Sequence, residues 1–179
     1  DVLLMPKYSE ILPSDVLTET KISNNLNLKI PIISSAMDTV TESDMAIAIA
    51  RAGGIGVIHR NLEINKQISE IRKVKHKNLK VGAAVGAGPQ EIKRAEAILK
   101  EKIDLIVVDT AHAHTKKVAE IIKKIKKLKS KKTALCAGNI ATTEAAKFLS
   151  KLGVDAIKVG IGPGSICTTR LVAGIGVPQ

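Results

Sequence analysis

Residues Gly160 to Arg170 read Gly-Ile-Gly-Pro-Gly-Ser-Ile-Cys-Thr-Thr-Arg, which puts a cysteine on a glycine-rich loop directly behind the apolar run Asp155 to Val159. Three glycines within five residues permit positive φ angles and let a ligand approach bare backbone. Successive N–H groups on such a loop can cradle a phosphate, and Ser165 supplies a hydroxyl two residues before Cys167. A thiol in that place sits beside whatever phosphorylated ligand the loop binds, and its thiolate is a nucleophile. The competing reading is a small buried hydrophobe, the common fate of a free cysteine.

Three further polar clusters stand behind apolar runs. Ser34-Ser35-Ala36-Met37-Asp38-Thr39-Val40-Thr41-Glu42 is rich in groups that can contact a polar ligand, although helix capping by Thr41 or Ser43 with Met37 in the core explains the same residues. Asp109-Thr110-Ala111-His112-Ala113-His114 offers a carboxylate that can accept hydrogen bonds from a ribose diol. Its two histidines lack a third metal ligand, so capping or packing histidines are the better reading. In Ala137-Gly138-Asn139 the side-chain amide of Asn139 either meets a ligand or closes a turn. Gly53-Gly54-Ile55-Gly56 lies between a helix and a strand, the wrong order for a nucleotide fingerprint, and reads as a tight connection.

The elements that must carry these clusters follow from periodicity. Six short, apolar, largely β-branched runs read as buried parallel strands: Ile30 to Ser34, Ile55 to Ile58, Lys80 to Val85, Asp104 to Asp109, Thr133 to Ala137 and Asp155 to Val159. Helical patterns follow the first five: Ser43 to Ala52 with Thr41 as N-cap, Ile64 to Lys77, Pro89 to Lys100, Thr115 to Lys129, and Thr143 to Leu152 ended by Gly153. Such a βα repeat is built either as a (β/α)₈ barrel or as a doubly wound sheet. Polar clusters behind the first, fourth, fifth and sixth strands favour the TIM barrel, whose sites gather at the C-terminal ends of several strands. About six βα units are present, so the chain is expected to be part of such a barrel.

Composition narrows the partners. The 179 residues are 45% hydrophobic, enough for one sizeable core, and two cysteines fit a reducing, cytoplasmic setting. No signal peptide or long uncharged apolar run stands in the sequence, so no membrane is expected. The net charge of +11 is concentrated in the lysine-rich stretch Lys116 to Lys132, where Val118, Ile121, Ile122, Ile125 and Leu128 recur at helical spacing. One face therefore packs while the lysines are solvated. With one Tyr, one Phe and no Trp there is no platform for stacking bases, which argues against nucleic acid as a primary partner.

Taken together, Asp1-Val2-Leu3-Leu4, Ser34 to Glu42, Gly53 to Asn61 (GGIGVIHRN), Val81 to Gly86, Asp109 to His114 and Gly160 to Arg170, running on to Gln179, resemble the IMP dehydrogenase/GMP reductase family over essentially the whole chain. The cysteine loop is similar in both enzymes. SAMDTVTE, GGIGVIHRN and DTAHAH are closer to the dehydrogenase, with Ala113 standing where that family commonly carries glycine.

The resemblance implies NAD-dependent oxidation of inosine 5′-monophosphate (IMP) to xanthosine 5′-monophosphate through a covalent thioimidate, the alternative being NADPH-dependent reduction of GMP. It implies Cys167 as nucleophile and Thr169 as a residue positioning the hydrolytic water. Ser35, Met37 and Ser165 would bind the substrate nucleotide. Asp109, Asn139, Gly160, Ile161 and Gly162 would bind NAD, and the carbonyls of Gly162, Gly164 and Cys167 would bind potassium. The family's hydrolytic base is expected beyond Gln179, and the assembly is expected to be a homotetramer. Many members insert a regulatory pair of cystathionine-β-synthase-type domains where His76-Lys77-Asn78-Leu79 here joins the second helix to the third strand; residues 1–179 then form one catalytic barrel domain with its junction near residues 77–79.

Overall fold

The computed structural model describes residues 5–165 and 167–178. The terminal motif Asp1 to Leu4, Ile166 of the cysteine loop and Gln179 lie outside the described residues. A hairpin of β1 (Thr20–Ser23) and β2 (Leu26–Leu28) precedes six parallel strands: β3 (Ile33–Ser34), β4 (Ile55–Ile58), β5 (Val81–Val85), β6 (Leu105–Asp109), β7 (Ala134–Ile140) and β8 (Ala156–Val159). Between them run α1 (Ser43–Arg51), α2 (Ile64–Lys75), α3 (Pro89–Leu99), α4 (Lys116–Leu128) and α5 (Thr143–Lys151).

The sheet order β3-β4-β5-β6-β7-β8 never doubles back. Right-handed crossovers in one direction place every helix on the same face, so the sheet curls around its other face, whereas a doubly wound sheet reverses its order at a switch point. The result is a half-barrel, a partial TIM barrel as the sequence predicts.

Alternation along the strands divides the core in two. Ile58, Val81, Ala83, Val85, Ile106, Val108, Leu135 and Ala137 face the helices and meet Ile71, Ala95, Ile98, Ile122, Ile125 and Leu149. Ile55, Val57, Ala84, Leu105, Val107 and Ala134 line the concave face, where Leu26 and Leu28 of the hairpin pack on them. The α4 periodicity holds for Val118, Ile121, Ile122 and Ile125, which are buried, whereas Leu128 at the helix end is 43% exposed.

Several boundaries differ from the sequence reading. Thr41 is not the N-cap of α1. Its fully buried hydroxyl donates to the Ser35 carbonyl at 2.5 Å and lies 2.9 Å from Ser34 Oγ, holding the loop behind β3. Glu42 takes the cap position without a side-chain bond, and Glu70 of α2 accepts from Ser43 N–H at 2.9 Å instead. The first strand is shorter than expected and pairs with β4 over two residues only. Strand β7 runs on to Ile140, so Gly138 and Asn139 belong to the strand rather than to a turn behind it. Gly138 pairs with both β6 and β8, and the β7–β8 register shifts between Gly138 and Ile140, past Asn139. The hairpin was not expected, since its three apolar residues alternate with polar ones over a short span. Residues Thr169–Ala173 form a short helix, α6.

Candidate active site

The C-terminal strand ends form one rim. Registers Asp109 with Gly138 and Gly138 with Lys158 set three residues side by side across β6, β7 and β8. A Cβ on Gly138 would lie 2.5 Å from Lys158 Cβ and 2.6 Å from its carbonyl oxygen, so only glycine fits the middle position. Over this bare backbone Lys158 Nζ reaches Asp109 Oδ1 at 2.9 Å. Asn139, the next residue, donates from Nδ2 to the Gly160 carbonyl at 2.7 Å and ties β7 to the cysteine loop. Its Oδ1 is buried with no hydrogen-bond partner.

The loop itself turns through Gly160 (φ 125°) and Gly162 (φ 64°), conformations that favour glycine. It brings Cys167 and Thr169 over the rim. Arg60, Asp109, Thr110, Asn139, Lys158, Ile161, Gly162, Cys167 and Thr169 together line an open cavity of about 310 Å³. The Thr169 hydroxyl, and then its backbone N–H, hydrogen-bond the Cys167 sulfur, and with the nearby Arg170 they hold the thiol below the ordinary 9.0. Cys136, half-buried on the concave face, goes the other way: burial pushes its thiol up to about 11, Asp109 adds to the rise and Lys158 offsets part of it.

Of the residues expected from sequence, Cys167, Thr169, Asp109, Asn139, Ile161 and Gly162 converge on this cavity. Gly160 is buried beneath it. Ser35 lines a neighbouring apolar cavity of about 340 Å³ inside the half-barrel, with Cys136 and Lys158 on its wall. Met37 and Ser165 are exposed and line neither cavity. The Gly164 carbonyl accepts from Cys167 N–H at 3.1 Å and from Arg170 Nη2 at 3.3 Å, which engages both its lone pairs. In this arrangement Gly162, Gly164 and Cys167 do not offer a cation three free carbonyls. His114 packs on Phe148 with ring centroids 4.7 Å apart, the packing role read from its sequence.

Sequence reasoning missed Arg60 and Lys158. Lysine inside a strand carries no local signal of function, and Lys158 acquires its place from register alone; Arg60 directly follows a strand, the position that marked the other clusters.

The family model of the IMP dehydrogenase/GMP reductase domain matches residues 1–179. The chain belongs to the IMP dehydrogenase/GMP reductase family. It is similar to the inosine-5′-monophosphate dehydrogenases of Cryptosporidium parvum and Borreliella burgdorferi, each 44% identical over the whole chain and over 54% and 56% of the relative. That of Aquifex aeolicus is 33% identical over the whole chain and 62% of the relative. The chain thus spans about half the length of the first two relatives. The Aquifex alignment runs over 307 positions, 128 more than the 179 residues here, so at least that many positions have no counterpart in this family member. The Cryptosporidium alignment runs over 223 positions, 44 more than the chain. No helix among the described residues is long and apolar enough to cross a membrane.

Proposed function

We propose that the full-length protein oxidises IMP to xanthosine 5′-monophosphate with NAD, through Cys167. The observation that carries this reading is the cavity that brings Cys167, its pKa lowered, together with Asp109 and Asn139. Asp109 Oδ2 remains for a ribose diol, because Lys158 holds Oδ1. These groups fit the nicotinamide riboside half of NAD.

In the proposed reaction the Cys167 thiolate adds to C2 of the hypoxanthine ring and forms a C–S bond. NAD, when bound, accepts the hydride that leaves C2. A thioimidate remains on Cys167; water adds to C2, a proton is lost, and the C–S bond breaks to return the thiolate and release product. Thr169 serves twice, donating to the sulfur in the resting site and lying where it can orient the water. Ser35, Met37 and Ser165 would meet the IMP nucleotide, Ser165 at its phosphate.

Potassium fits this loop only once Arg170 leaves the Gly164 carbonyl, and no step is derived through it. Equal turnover in potassium and lithium buffers would remove it from the reading. The additional positions of the longer relatives are assigned to the His76–Leu79 junction as the regulatory domain pair. A homotetramer in the cytoplasm completes the proposal.

The deciding measurement is NADH formation from IMP and NAD by the full-length protein, run beside GMP with NADPH. Cys167→Ser is expected to abolish turnover and the IMP-dependent mass adduct on residue 167. Full activity in that variant, or preference for GMP with NADPH, would sink the assignment.

A further inference from the structure

Beside the cysteine cavity lies a second one of about 560 Å³, walled by Gly86 to Glu91 at the start of α3. Arg60, Thr110 and Ala111 line both. We propose that Arg60 is an anion-binding residue at the junction of these two cavities, seating the diphosphate bridge of an extended dinucleotide whose two halves occupy one cavity each; this rests on the NAD reading above.

The shape requires a ligand with two lobes, and the charge requires its middle to be anionic. Arg60 is the one cationic side chain common to both linings. The other cations nearby are committed: Lys158 pairs with Asp109 at 2.9 Å and Arg94 with Glu91 at 3.4 Å. Among the described residues Arg60 has no carboxylate within salt-bridge reach. A guanidinium presents parallel N–H donors that match phosphate oxygens in a bidentate fashion, which a lysine ammonium does not.

Arg60 is also held for the task. Its guanidinium lies against Gly86, where an added Cβ would come within 3.2 Å of both Cζ and Nη1. Gly86 is fixed in turn by its N–H, which donates to Glu91 Oε2 at 2.6 Å. The nearby Glu91 carboxylate is thereby ion-paired with Arg94 and hydrogen-bonded by this N–H, and is not paired with Arg60. Beneath them the buried amide of Gln67 donates to the carbonyls of Ile58 and Ala84 at 3.3 and 2.9 Å and accepts from Arg94 Nη1 at 2.8 Å. Those carbonyls stand two residues before Arg60 and Gly86, so one side chain locks both halves of the seat.

The test is titration calorimetry of the full-length protein with NAD and with nicotinamide riboside, which lacks both bridging phosphates, using wild type, Arg60→Gln and Arg60→Lys. Arg60→Gln should weaken NAD about tenfold, as expected for one charge-assisted contact, and affect the riboside less than about threefold. Arg60→Lys should recover part of the loss, and added salt should weaken wild type more than Arg60→Gln. Unchanged NAD affinity in Arg60→Gln, equal losses for both ligands, or no NAD binding by wild type would overturn the inference. Failure of the proposed function has a different signature: NAD binds in an Arg60-dependent way while IMP yields no NADH.

Discussion

Two thiols of one chain are driven in opposite directions by their surroundings. Thr169 donors favour the Cys167 thiolate, whereas burial disfavours that of Cys136. Alkylation by iodoacetamide, followed by mass spectrometry against pH, should therefore label Cys167 with a midpoint below 9 and Cys136 only as pH approaches about 11. Thr169→Val should move the Cys167 midpoint upward; an unmoved midpoint would show that the threonine does not support the anion. A second expectation concerns Gly138, the gap over which Lys158 reaches Asp109. Gly138→Ala should part that ion pair, raise the KM for NAD more than it lowers kcat, and cost about 1–3 kcal/mol through overpacking against Lys158. Steady-state kinetics of the full-length variant with a urea titration would check both. Cys167, Asp109 and Asn139 were legible because polar residues behind apolar runs mark strand ends. Lys158 was not, because its role depends on which residue of a neighbouring strand lies beside it, and that is a tertiary fact.

Helices here are finished by their neighbours as much as by their own sequences. Thr115 and Thr142 cap α4 and α5 locally, accepting from Val118 and Ala145 N–H groups. At α1 the local candidate, Thr41, is drawn into the loop that holds Ser35, and Glu70 supplies the acceptor from 27 residues away. Burial alone would raise the Glu70 pKa, but hydrogen bonds from Lys73 and Ser43 outweigh it and leave it below 4.5. A carboxyl with a depressed folded-state pKa adds stability that is fully present above its unfolded value and is lost as pH falls through the folded one. Melting temperature should thus fall more steeply below pH 4.5 in wild type than in Glu70→Gln, as followed by circular dichroism. Parallel slopes would show that the cap contributes nothing. The long βα repeat was readable because its buried strands are continuous apolar runs. The β1–β2 hairpin escaped notice because Ile22, Leu26 and Leu28 are too few and too interrupted to announce a strand pair.

At the scale of the molecule, a sheet that curls without closing leaves β3 and β8 each with an unpaired side among the described residues. Ile33 and Val159 on these strands are 42% and 62% exposed. Parallel sheets are ordinarily covered on both faces, and bare edges recruit further strands. Residues 1–179 expressed alone should therefore bind a hydrophobic dye, associate with rising concentration and form no NADH from IMP and NAD; a monodisperse, active product would refute this. The connection at Lys77 to Leu79 bears on control. It joins α2 to β5 at the N-terminal mouth of the sheet, while Arg60, Asp109, Asn139 and Cys167 all stand at the C-terminal mouth. A strand of five residues spans about 16 Å, so any segment spliced in at Asn78 would be anchored a full strand length from the Cys167 thiol. Held at that mouth, such a segment would bear on the Cys167 cavity through the strands that run between them.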